Sequence, residues 1–255
     1  MLFHSQKDYQ VPKRYEASCM ESKVVRSLPK QQVNFWQHIE VPNQRGVNMN
    51  ISESLQYMLS QDAIIVQQAT ELVNVIIGVD TSNKYDVFSP EGHKLGSVAE
   101  VSGGAGGFIL RQILNNARSC NLQIFDPQGQ QIGLFRKPLR FIFTEMSAEA
   151  DAMEIGRAKR TSWIGRNYII SVGSGESLFT INSSLFQWRR IKFDVMRNGV
   201  LVASIRKKFE GYLRMAFTQA DNFSIEFIDK SLTLEERYTL FATLFLIDFD
   251  VFEQK

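Results

Sequence analysis

Basic residues gather in four short groups: Arg136, Lys137 and Arg140; Arg157, Lys159 and Arg160; Arg189, Arg190 and Lys192; and Arg206, Lys207 and Lys208. Cations at that density bind phosphate, and each one near an anionic leaflet contributes roughly 1 kcal/mol, so one group gives weak attraction and two on one face give useful attraction. Trp188 beside Arg189 and Trp163 shortly after Arg160 add aromatic rings of the kind that settle at a headgroup interface. Arg189, Arg190, Lys192, Arg206, Lys207 and Lys208 are therefore the candidate lipid-binding residues, and an anionic phospholipid membrane is the expected partner. The competing reading is a set of solvated hairpin ends with buried tryptophans. Nucleic acid is another polyanion that charge alone permits, but no recognition motif accompanies it.

Catalytic groupings are missing. His4, His38 and His93 are scattered, and His93 falls in a turn pattern. Gly173 to Ser177, GSGES, is not the G-x-S-x-G elbow that exposes a serine nucleophile. Gly103 to Gly107, GGAGG, fits neither a P-loop nor a dinucleotide fingerprint and reads as a linker. The two cysteines, Cys19 and Cys120, build neither a zinc site nor a disulfide framework, which points to a reducing compartment. The chain is expected to be a non-enzyme. A net charge of +2 over 255 residues is too mild to demand nucleic acid. MLFHSQKDYQ at the start lacks the basic-then-apolar pattern of a secretory signal, so the expectation is intracellular, at the cytoplasmic face of a membrane.

The elements that must position these groups begin after residue 50. Before it, charge is scattered and Pro12, Pro29 and Pro42 interrupt any periodicity, which predicts a loosely ordered arm over 1–50 and one domain over 51–255. Ser52 is a candidate N-cap with Glu53 in the first turn, predicting a short helix from Glu53 to Leu59. Ala63 to Gln68 and Thr70 to Gly78 are rich in β-branched residues and read as strands. A pattern then recurs: KYDVFSPEGHKLGSV from Lys84, NLQIFDPQGQQIGLF from Asn121 and KFDVMRNGVLVASI from Lys192. Each alternates apolar residues on both sides of a glycine turn, with Pro two residues ahead of Gly92 and Gly129 and Asn198 ahead of Gly199. These are hairpins. Further strands are expected at Arg140 to Thr144, Trp163 to Val172, Ser177 to Asn182 and Phe223 to Phe227.

The last stretch, Thr233 to Phe252, differs in kind. Thr233 and Glu236 have the spacing of a reciprocal capping box, so a helix starts there. Tyr238, Phe241 and Phe245 fall on one face, Leu240, Leu244 and Ile247 on a second, and only a strip around Thr243 and Asp250 is polar. A helix apolar nearly all round has to be enclosed by a core or by lipid. A membrane span needs roughly 18 apolar residues, whereas Asp248 and Asp250 interrupt this run after about ten, so a core helix is the first reading and a C-terminal span the second. Its key positions are Tyr238, Phe241, Leu244, Phe245 and Asp248. The two aspartates oppose the helix dipole, so they are expected to meet cations or water at a mouth. Many short strands with one enclosed helix predict a mainly β fold, a closed antiparallel barrel wide enough at about a dozen strands to hold a helix on its axis.

LQYMLSQDAIIVQQATELVNVIIGVDTSNKYDV from Leu55, LQIFDPQGQQIGLFRKPLRF from Leu122, YLRMAFTQADNFSIEF from Tyr212 and FLIDFDVFE from Phe245 together resemble the phospholipid scramblase family. The motifs keep their order from about Leu55 to Glu253. The resemblance implies a tubby-like barrel of about twelve strands around a C-terminal helix, the same architecture with the strand count added. It also implies calcium-stimulated, ATP-independent movement of phospholipids between leaflets. The family's proposed calcium segment matches Gln219 to Lys230, QADNFSIEFIDK, so calcium is the implied cofactor and Asp221, Asn222, Glu226 and Asp229 the candidate oxygen donors. Where the family pattern has aspartates at both ends, this chain has Gln219 and Lys230, which predicts weak affinity because calcium favours carboxylates there. The cysteine-rich palmitoylation segments of many animal members have no counterpart here. Two functional expectations follow: a phospholipid scramblase-like protein, or a soluble tubby-like module that binds anionic lipids or protein partners without moving lipids.

Overall fold

In the computed structural model, residues 51–69, 81–101, 119–163, 165–173, 175–183, 192–207 and 222–251 are described. Helix α1 (Glu53–Ser60) forms where Ser52 accepts a hydrogen bond from the Leu55 amide at 3.3 Å. Its Leu55, Met58 and Leu59, at i, i+3 and i+4, are fully buried. Twelve strands follow: β1 (Ala63–Gln68), β2 (Thr81–Phe88), β3 (Lys94–Val101), β4 (Cys120–Phe125), β5 (Gln131–Lys137), β6 (Glu145–Ala150), β7 (Met153–Arg160), β8 (Tyr168–Val172), β9 (Ser177–Ile181), β10 (Lys192–Arg197), β11 (Val200–Lys207) and β12 (Asn222–Phe227). Helix α2 (Leu234–Val251) ends the described chain. Each strand pairs antiparallel with its sequence neighbours, and β1 pairs with β12, Ala63 opposite Glu226, so the sheet closes. Closure leaves no unpaired edge.

The expected hairpins stand at β2–β3, β4–β5 and β10–β11, with positive φ at Gly92, Gly129 and Gly199. Their alternation puts Tyr85, Val87, Leu122, Ile124, Phe193 and Val195 in the core. Two expectations are corrected. Arg140 to Thr144 is a connection, and β6 begins only at Glu145; Phe141 and Ile142 are both solvent-exposed and Thr144 alone is buried, so burial does not alternate along this segment. Trp163 lies outside β8, because the Arg160 side chain donates to the Ser162 and Gly165 carbonyls and holds a loop there instead. Strands β6 and β7, EMSAEA and MEIGRAKR, were not expected, since they hold few β-branched or aromatic residues. They are strands because their small residues suit an axial helix: Ala148 and Ala158 are fully buried, and a Cβ on Gly156 would lie 2.3 Å from Thr239 Oγ1. The turn between them is made by Asp151 and Ala152 at φ 48° and 60°, a two-residue turn without its usual glycine. The expected strand at Thr70 to Gly78, the GGAGG run and the 1–50 arm lie outside the described residues.

Helix α2 fills the axis. Tyr85, Phe135, Phe241 and Phe245 pack as a ring cluster, with Tyr85 and Phe135 centroids 5.3 and 5.7 Å from Phe245 and Phe135 5.4 Å from Phe241. Every α2 residue from Arg237 to Asp250 is buried. The threonines on its polar side are buried as well and satisfied within the helix: Thr243 Oγ1 donates to the Thr239 carbonyl and Thr239 Oγ1 to the Glu235 carbonyl, both at 2.8 Å.

Candidate membrane-facing site

The start of α2 is fixed by the expected capping box. The Thr233 amide donates to Glu236 Oε2 at 2.9 Å, and the Glu236 amide to Thr233 Oγ1 at 3.3 Å. The next residue carries a role that the sequence did not announce. Arg237 is 7% exposed, donates through Nη1 to the carbonyls of Leu59 and Gln61 at 3.0 and 3.1 Å, and lies over the Phe227 ring at 4.9 Å. Those carbonyls belong to the C-terminal end of α1, where a cation is favoured by the helix dipole. Arg237 thus ties α1 to the entry end of the barrel.

The far end of α2 holds its acids. Asp248 and Asp250 are buried, not at a watery mouth, and hydroxyl groups receive them: Tyr85 Oη donates to Asp248 Oδ2 at 3.4 Å, while Thr144 Oγ1 and Tyr168 Oη donate to Asp250 Oδ2 at 2.6 and 3.2 Å. Burial pushes the Asp250 carboxyl above the ordinary carboxylate range, against the opposing pull of these donors and of the Arg160 and Lys137 charges. Burial, with the Asp250 charge second, also carries the Tyr168 hydroxyl well above its usual value. Thr144 and Tyr168 are the last residue before β6 and the first of β8, so one carboxylate oxygen fixes the feet of two neighbouring connections. All five helix positions singled out from the sequence, Tyr238, Phe241, Leu244, Phe245 and Asp248, are buried. Among the described residues no helix is long and apolar enough to cross a membrane, which overturns the C-terminal span as a reading of α2.

The candidate lipid-binding residues fall partly in view. Arg189, Arg190 and Lys208 lie outside the described residues. Lys192 and Arg206 are register partners across β10 and β11, with Lys192 2.9 Å from Asp194 and Arg206 3.4 Å from Glu226. That face alternates in sign. Lys207 points the other way, its ammonium 5.7 Å from the centre of the Phe223 ring. The described calcium candidates, Asn222, Glu226 and Asp229, have separate surroundings. Asp221 lies outside the described residues, Asn222 is buried, Glu226 is exposed beside Arg206, and Asp229 accepts from the Ser231 amide and hydroxyl at 2.9 and 2.7 Å. Lys230, where the family pattern has a carboxylate, pairs with Asp62 at 2.5 Å. Among the described residues no group of three or more His, Cys, Asp or Glu side chains is arranged to hold a metal.

A sequence profile of the Scramblase family matches residues 41–254. The chain is 26% identical over 221 residues to Phospholipid scramblase 2 of Homo sapiens, covering 81% of this chain and 72% of that protein. It is 25% identical to Phospholipid scramblase family member 5 of Homo sapiens, covering 86% and 84%. To Phospholipid scramblase 1 of Homo sapiens it is 27% identical, covering 80% and 67%.

Proposed function

The chain belongs to the Scramblase family, and from that premise we propose that it moves phospholipids between the leaflets of a bilayer without ATP, from an intracellular position on an anionic membrane surface. The observation that carries the reading is the family match across nearly all of the barrel, including β1 to β12 and α2. The fold narrows the route. Because α2 occupies the barrel axis and its aromatic side chains are packed against the wall, a lipid has no passage through the lumen while the helix is in place. The transfer path therefore runs along the outside of the barrel, where the protein locally disturbs headgroup packing.

Calcium stimulation is the finer part of the reading. Asn222, Glu226 and Asp229 do not make a calcium cage as they stand, so no step is routed through the ion. The deciding experiment reconstitutes the full chain in vesicles carrying a leaflet-specific fluorescent phospholipid and follows accessibility to a membrane-impermeant quencher, with and without calcium. Acceleration over protein-free vesicles is expected. Verified membrane association with no acceleration in either condition would overturn the reading, and equal rates in both conditions would remove its calcium part alone.

A further inference from the structure

At the far end of the barrel, two connections carry the two most exposed large apolar side chains among the described residues. Between β5 and β6, Phe141 is 74% exposed, with Ile142 at 59% and Leu139 at 43%. Between β7 and β8, Trp163 is 70% exposed. These are not scattered surface residues. Phe143 and Trp163 meet edge to face at 5.7 Å, which joins the two connections near their tips. Thr144 and Tyr168 join them at their feet through Asp250, and Arg160 braces the second one through the Ser162 and Gly165 carbonyls. An open pocket of about 450 Å³ is walled by Leu139, Phe141, Ile142 and Phe143, with Arg140, Glu145 and Lys159 completing it. Of the charged residues lining this pocket, Arg140 and Lys159 are cations and Glu145 is the acid, which Arg140 holds at 2.7 Å.

Exposed apolar side chains need an occupant, and the charge says which. Aromatic and aliphatic tips with Arg140 and Lys159 beside them match the boundary of an anionic bilayer, where the rings enter below the headgroups and the cations meet phosphates. We propose that this end of the barrel docks on an anionic phospholipid bilayer, with Phe141, Ile142 and Trp163 entering the headgroup and acyl boundary and Arg140 and Lys159 facing the phosphates. The proposal rests on the reading that the protein acts at a bilayer. It assigns the contact to the β5–β6 and β7–β8 connections, away from the β10–β11 face, whose cations are interleaved with acids.

The test is sedimentation of the full chain with phosphatidylcholine vesicles, with and without phosphatidylserine. Phe141→Asp combined with Ile142→Asp is expected to weaken binding to the phosphatidylserine vesicles by about tenfold or more, since two apolar side chains lose their burial. Both positions are solvent-exposed, so the circular dichroism and thermal midpoint of the variant should match the unsubstituted protein. Lys159→Gln is expected to weaken binding about fivefold at low salt. In a Trp36→Phe, Trp188→Phe background, the emission of Trp163 should shift to the blue on vesicle addition. Unchanged binding in the double variant overturns the proposal. So does a protein that ignores vesicles and forms a concentration-dependent dimer that the double variant abolishes, because the occupant is then a second copy. A protein that docks and inserts Trp163 yet leaves the labelled lipid in place keeps the docking surface and removes the scrambling reading. Lipid movement with undiminished binding in the double variant does the reverse.

Discussion

Asp250 is a buried carboxyl held by two hydroxyl donors, and its protonation gives a measurable sign. A carboxyl whose native pKa is raised binds more protons folded than unfolded, so stability falls as pH rises from the ordinary carboxylate value through the raised native value. Asp250→Asn keeps an oxygen that accepts from Thr144 and Tyr168 but cannot ionise. Urea melts at successive pH values should show the unsubstituted protein losing stability relative to the variant across that window, and a constant difference would count against the assignment. Asp62 and Asp229, whose pKa values are lowered by Lys230 and by Ser231, carry the opposite sign and cancel in the comparison. A second residue-scale contact explains a glycine in a return strand. A Cβ on Gly133 would stand 2.3 Å from Tyr238 Oη, which accepts from the Leu134 amide at 3.0 Å and donates to the Glu149 carbonyl at 2.9 Å. Gly133→Ala should cost about 1–3 kcal/mol through overpacking. Tyr238→Phe removes the obstructing oxygen, so the double variant should be less destabilised than the sum of the singles, with a coupling of about 0.5–3 kcal/mol. Additive losses in denaturant melts would reject that account.

At the scale of elements, what the sequence made legible was what local chemistry decides. The Ser52 cap, the Thr233 and Glu236 capping box and the glycine turns of three hairpins act over a few residues, and each formed as its spacing predicted. Strands β6 and β7 were illegible because their strand character comes from the helix beside them, which selects Gly156, Ala148 and Ala158 for size rather than for β propensity. The candidate site was legible in part: the helix positions from Tyr238 to Asp248 were named as an enclosed face, yet the hydroxyl donors to its acids, Tyr85, Thr144 and Tyr168, are distant in the chain. Phe141 and Ile142 were misread for a related reason, since alternation signals a strand only where one face has something to pack against. Arg237 was missed altogether, because a cation ahead of an apolar run looks like a flank until the C-terminal carbonyls of α1 are found beside it. Arg237→Met would leave the Leu59 and Gln61 carbonyls without this donor, at about 1–3 kcal/mol. Hydrogen exchange should then quicken in α1 well before the barrel strands respond, and uniform quickening throughout would show that the tie is not local.

For the whole molecule, the question is whether α2 stays inside the barrel when the protein works. Eight large apolar side chains between Tyr238 and Phe249 are 2% exposed or less. At about 1.5–3 kcal/mol each, their burial is worth on the order of 12–24 kcal/mol, as large as or larger than the roughly 5–15 kcal/mol that separates a folded domain from its unfolded state. Lipid would accept the apolar surface of a departing helix, but not that of the emptied wall, where Tyr85, Phe135 and Phe179 would meet water. It would also have to take up Asp248 and Asp250, which inside the barrel have Tyr85, Thr144 and Tyr168 as donors. Helix departure is therefore barrel unfolding, and the lipid movement proposed for this protein requires a route with α2 seated. Phe245→Asp should accordingly unfold the whole barrel, seen as loss of the cooperative thermal transition, whereas a folded variant that merely leaves membranes would reopen the question. The sharper measurement is amide exchange with and without anionic vesicles. Protection of α2 should stay at the level of the barrel strands in both conditions, while the 138–144 and 161–167 connections become slower on binding; selective loss of protection across Leu234–Val251 would show that the helix leaves and that the route is not along the outer surface.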